Sequence, residues 1–194
     1  MTASHLGLAA GIIHALAFIP YIISTLRGRS RPHRGSWAIW SVQGFVLFAS
    51  YSALGASQTL WMPLTLFLGP SIIFLLSLRF GTAGWHSNMD RLCLLGALIG
   101  IVYLFVFQSP LTALIIGMMT DMLGALPTVV KAIRQPWTEN AFSWLTAWLA
   151  SLLNIAALQN FDFTLSAYPI YTALILTLIT TPLVWYRLAH YRFR

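Results

Sequence analysis

Apolar stretches of about 20 residues, the length that crosses the hydrocarbon of a bilayer as a helix, follow one another along this chain with little between them. They fall at 6–26, 36–55, 59–79, 91–107, 110–133, 140–158 and 166–186. Charged residues make up 8% of the chain and hydrophobic ones 58%, whereas a soluble domain of this size carries roughly 25% charge. These features predict an all-α integral membrane protein of seven transmembrane helices. The connections run to about a dozen residues at most, which leaves no soluble domain.

The few charges are ordered. Arg27, Arg29, Arg31 and Arg34 lie between the first and second stretches, Arg79 and Arg91 flank the connection before the fourth, and Lys131 and Arg134 precede the sixth. Arg187, Arg192 and Arg194 end the chain, while the alternate gaps hold Asp162 and no Lys or Arg. By the positive-inside rule the N-terminus faces out and the C-terminus faces the cytoplasm. The pI of about 10.2 would suit nucleic acid, but the charges form short clusters at helix ends, where they meet anionic headgroups instead. The lone cysteine, Cys93, has no internal partner for a disulfide. No basic n-region or small-residue cleavage signal surrounds the first stretch, so it is expected to stay uncleaved.

The chain also repeats itself. Pro20 and Pro127, Arg27 and Arg134, Ser36 and Ser143, and Trp37 and Trp144 are each 107 residues apart. Over 11–44 against 118–151 the matches are those four pairs and Leu16 with Leu123. A unit written twice on the same side of the charge pattern predicts two parallel three-helix repeats joined by an inversion linker helix. The expected divisions are 1–81 for the first repeat, 82–108 for linker helix 4 and 109–194 for the second repeat. Pro63 and Pro169, near the outer ends of the third and seventh helices, extend the correspondence loosely.

This 3+1+3 order, with a proline in helices 1 and 5 followed by a short basic connection, resembles the PQ-loop superfamily, which includes the SWEET sugar transporters. Phe18-Ile19-Pro20-Tyr21-Ile22 and Ala125-Leu126-Pro127-Thr128-Val129 stand where that family carries its Pro-Gln motif. Tyr21 and Thr128 replace the glutamine. The prolines of helices 2 and 6 and the helix 3 asparagine of sugar-transporting members have no counterpart. The resemblance therefore implies the fold and an alternating-access transporter of a small polar metabolite (amino acid, sugar or vitamin-like), without choosing a sugar.

Six residues before each repeated proline lies an ionisable group, His14 in one copy and Asp121 in the other. A carboxyl group mid-span costs at least about 2.5 kcal/mol to insert, so it should face the bundle interior. Helical spacing puts His14 with Ala17 and Tyr21, and Asp121 with Gly124 and Thr128. A two-fold relation would bring the two groups together near the midplane, as a substrate or proton site or as a structural His–Asp hydrogen bond. Pro20 and Pro127 free the carbonyls of Leu16 and Leu123, which makes them either hinges of the cycle or static kinks. Trp40 and Gln43 on helix 2, and Trp148, Ser151 and Asn154 on helix 6, add rings and amides at depth. The amides need partners, either across a helix interface or from a substrate. Such a pocket suits a polar metabolite with some apolar surface. Trp37 and Trp144, near helix ends, read as interfacial anchors. Tyr168, Tyr171 and Thr172 are expected to line an outer vestibule.

His5, His14, His33, His86 and His190 are scattered, with no HExxH, CxxC or Gly-rich phosphate loop. Neither an enzyme nor a cofactor site is expected. The expected partners are a small-molecule substrate and the bilayer of a plasma (inner) membrane, with a homo-oligomer left open and nucleic acid excluded. The rival readings are a seven-helix receptor and a scaffold subunit, both without transport.

Overall fold

The computed structural model describes residues 2–28, 32, 34–81 and 88–191. Arg29, Arg31, His33, His86, Arg192 and Arg194 lie outside the described residues, as do the side chains of Ser36, Cys93, Pro127, Lys131 and His190. Among the described residues the fold is helical throughout: α1 (Ala3–Leu26), α2 (Arg34–Ala53), α3 (Trp61–Phe80), α4 (Asn88–Phe105), α5 (Pro110–Arg134), α6 (Ala141–Ala156) and α7 (Phe163–Tyr191). A short 3-10 turn, Pro136–Thr138, precedes α6. Four helical segments are long and apolar enough to cross a membrane, Ala3–Leu26, Trp61–Phe80, Pro110–Arg134 and Phe163–Ala189, as befits a membrane protein. The apolar stretches Leu94–Phe105 and Ala141–Ala156 are shorter.

Local chemistry sets the helix ends. Thr2, Asn140 and Asp162 precede α1, α6 and α7, and each side-chain oxygen accepts a backbone N–H of the first turn, from His5, Ser143 and Leu165 respectively. Gly28, at φ +70°, takes the left-handed conformation that ends α1 at little cost. Arg34 Nε donates to Ser77 O at 2.9 Å and Nη2 to Leu78 O at 3.0 Å. The start of α2 is thereby tied to carbonyls in the last turn of α3.

α1 is sorted by side-chain size. On α1 the large residues Leu8, Ile12, Leu16, Ile19 and Ile23 are exposed, while Gly7, Ala10, Gly11, His14 and Ala17 are buried. The two sets recur at helical spacing on opposite faces. Leu68, Ile72 and Leu75 of α3 and Ile170, Leu174 and Leu178 of α7 also point outward. Small residues inward and aliphatic ones outward is the arrangement of helices packed in lipid.

The helices close into a ring. α3 packs against α1 and α2, α7 packs against α5 and α6, and the ring is joined by α1 on α6 and α2 on α5. α4 packs on α5 and α2, at the outside of that second seam. The α2–α3 contact is close: a Cβ on Gly44 would lie 2.6 Å from Leu66 O and 2.8 Å from Phe67 Cα.

Candidate functional site

Inside the ring is a cavity of about 360 Å³, lined by α1, α2, α3, α5, α6 and α7, within the usual range of small-molecule pockets (~300–1,000 Å³). α1 contributes His14, Ala17, Phe18 and Tyr21, and α5 contributes Asp121, Ala125 and Thr128. These spacings of three, four and seven residues each trace one helix face. Trp37 and Trp40 come from α2, Ser143, Trp144 and Ala147 from α6. Leu66 and Pro70 of α3 and Tyr171, Thr172 and Ile175 of α7 complete much of the wall, and Glu139 lies where the α5–α6 connection reaches it.

Five pairs of lining residues stand 107 apart: His14 and Asp121, Phe18 and Ala125, Tyr21 and Thr128, Trp37 and Trp144, Trp40 and Ala147. The match in position is not a match in size. The first member supplies a ring where the second is Ala or Thr in three of the five. The α1–α2 wall is therefore the more aromatic of the two.

The ionisable pair is reached from both sides but is not bonded together. His14 is buried, and its Nδ1 lies 2.6 Å from Thr65 Oγ1 of α3. The Phe18 ring meets the imidazole edge-on at 5.2 Å. The Tyr171 hydroxyl of α7 donates to Asp121 Oδ2 at 2.6 Å. Asp121 thus has a neutral hydrogen-bond donor and no cationic partner among the described residues.

The rings form a continuous surface. Tyr21 and Trp37 have centroids 5.0 Å apart, and Trp37 and Trp40 meet edge-on at 5.1 Å. Across the cavity the Trp144 indole N–H donates to Glu139 Oε2 at 3.0 Å. Ser143 Oγ, in the same wall, has no hydrogen-bond partner. Away from Glu139 the interior is filled. Leu47, Tyr51, Ala56, Leu114 and Tyr168 form a buried cluster, with the Tyr51 and Tyr168 rings 5.2 Å apart. The Tyr51 hydroxyl lies 2.8 Å from Thr59 Oγ1 and also donates to Leu165 O.

Of the residues expected at a site, His14, Tyr21, Trp40, Asp121 and Thr128 share the cavity. Gln43, Trp148 and Asn154 do not line it. The Gln43 amide is buried and donates to Gly117 O across the α2–α5 seam. The Trp148 indole donates to Thr177 Oγ1 of α7 at 2.8 Å, and Asn154 is fully buried with neither amide atom partnered. Pro20 sits inside an unbroken α1, and α5 runs through position 127. Trp37 and Trp144, read as interfacial anchors, also line the cavity; their shared place in the repeat was the signal for it. Tyr171 and Thr172 also line it, whereas Tyr168 is in the closed cluster. Glu139 was not anticipated, because a loop carboxylate looks like any solvated charge until the chain folds it inward.

Comparison with known proteins returns no matching family model, no matching curated protein and no matching solved structure.

Proposed function

We propose that all seven helices cross a plasma (inner) membrane, N-terminus out and C-terminus in, as two parallel three-helix repeats around a linker helix. Exchanging α1, α2 and α3 for α5, α6 and α7 maps the ring of neighbouring helices onto itself, which supports a two-fold relation. α4, none of whose described side chains lines the cavity, suits the linker role. Arg27, Arg34, Arg79, Arg134 and Arg187 fall at the helix ends that alternate passage would bring to one side, in keeping with the positive-inside rule. These features, with the proline segments, favour a PQ-loop and SWEET-like architecture.

Within that architecture the protein acts as an alternating-access transporter of a small polar metabolite. The observation that carries this reading is the cavity between the two units, reaching Glu139 at one end and backed by the packed Tyr51–Tyr168 cluster at the other. A pocket that extends toward one end of the bundle, with a packed cluster at the other, suits one half of such a cycle. His14, Tyr21, Trp40, Asp121 and Thr128 contact the substrate, and Pro20 and Pro127 provide the bending points. Two ionisable groups in the lumen also make coupling to protons chemically accessible.

The test is solute counterflow in proteoliposomes holding the purified protein, with labelled amino acids, sugars, nucleosides, vitamins and amines. Saturable exchange of one class, lost in Asp121→Asn, is the expected result. Tight binding without exchange would instead make the protein a receptor, and neither binding nor exchange would leave a scaffold.

A further inference from the structure

We propose that the cavity takes an organic monocation that carries no carboxylate: an amine or quaternary ammonium group on a compact apolar body. This deepens the transport reading and rests on it for the cavity being a ligand site.

The chain has four acidic residues and eleven basic ones. Two of the four acids, Asp121 and Glu139, line the cavity, and no Lys or Arg does so among the described residues. The cavity is thus biased against the charge of the protein as a whole. Asp121 comes from α5 and Glu139 from the α5–α6 connection, and Phe18, Tyr21, Trp37, Trp40 and Trp144 line the same cavity. A cation placed there would have carboxylates and aromatic rings in its wall, the combination that recognises alkylammonium groups.

Competing ligand classes fit less well. A bare metal ion would need a cluster of three or more His, Cys, Asp or Glu groups, and none occurs among the described residues. A zwitterion or an organic acid would bring a carboxylate near Asp121 and Glu139, with no Lys or Arg among the described lining residues to receive it. The His14 Nδ1 is already engaged by Thr65. A neutral sugar would leave the Asp121 carboxylate without a counter-charge in a low-dielectric site.

The experiment titrates purified protein in detergent with choline and phenyltrimethylammonium, and with 3,3-dimethylbutanol and glycine betaine as neutral and zwitterionic analogues of choline. Tryptophan fluorescence and melting temperature are read. The cations are expected to bind saturably, and the analogues about tenfold or more weaker. Asp121→Asn keeps an oxygen for the Tyr171 hydroxyl and should weaken cation binding by about tenfold while leaving the alcohol unaffected. Should that variant not fold, Glu139→Gln and Trp144→Leu carry the same expectation. Equal binding of the analogues, no cation binding, or cation binding that survives these substitutions would overturn the proposal. Cation binding without counterflow would sink transport and leave this inference standing. Counterflow of a neutral or zwitterionic solute without cation binding would do the reverse.

Discussion

The Tyr171 hydroxyl donates to Asp121 Oδ2 at 2.6 Å, and His14 Nδ1 lies 2.6 Å from Thr65 Oγ1. The first contact joins α5 to α7 and the second joins α1 to α3, so each ionisable side chain is held by the helix two after its own. No bond links His14 to Asp121. The two helix pairs are tied separately, so a shift of one pair against the other, as the proposed transport cycle requires, breaks neither contact.

If Tyr171 orients the carboxylate, Tyr171→Phe should lower stability by about 1–3 kcal/mol, the range for losing a hydrogen bond to a charged or buried group. In a double-mutant cycle, adding Tyr171→Phe to Asp121→Ala should cost little further. Thermal unfolding in detergent measures both. Full additivity of the two changes would show that they do not act as a unit.

Pro20 removes one backbone hydrogen bond from α1, so Pro20→Ala restores it. The variant should unfold at the same or a higher temperature and bind ligand as before. Counterflow should nevertheless fall by about tenfold or more if bending at this point is part of the cycle. Unchanged exchange rates would make Pro20 a static kink.

Orientation can be read by labelling single cysteines in intact cells after Cys93→Ser. Gln159→Cys, in the α6–α7 connection, should react with an impermeant maleimide from outside. Gln135→Cys, just beyond α5, should react only after permeabilisation. The opposite pattern would invert the topology.

The α2–α3 seam gives a prediction about stability alone. Gly44→Ala places a methyl carbon 2.6 Å from the Leu66 carbonyl oxygen, which is backbone and cannot rotate away. A loss of about 1–3 kcal/mol is expected from overpacking. At Gly100 the nearest atom is Val46 Cγ1 at 3.1 Å, a side chain able to adjust, so Gly100→Ala should be milder. Melting curves of the two variants decide it.

The helix limits were legible because apolar length is a one-dimensional property. Every expected end lies within three residues of the observed one except the last, where α7 continues to Tyr191. Asp121 and His14 were legible because an ionisable group inside such a stretch has few places to go. Gln43 shows where this reasoning stops. An amide at depth looks the same whether it faces a cavity or a neighbouring helix, and here Gly117 O takes it. Trp37 and Trp144 show the same limit, since a ring near a helix end suits an interface as well as a lumen, and here both line the cavity.

Length, composition and repeat spacing by themselves determined that the protein is membranous and helical, where its apolar segments begin and end, and that two stretches share one pattern. Only the tertiary structure decided which face of each helix turns inward. It brought Tyr171 to Asp121, Thr65 to His14 and Glu139 to Trp144, and sent Asn154 and Trp148 elsewhere. The rotation of a helix about its axis follows from the small residues on which its neighbours settle. That choice is made across the bundle, between residues far apart in the chain, and no local pattern records it.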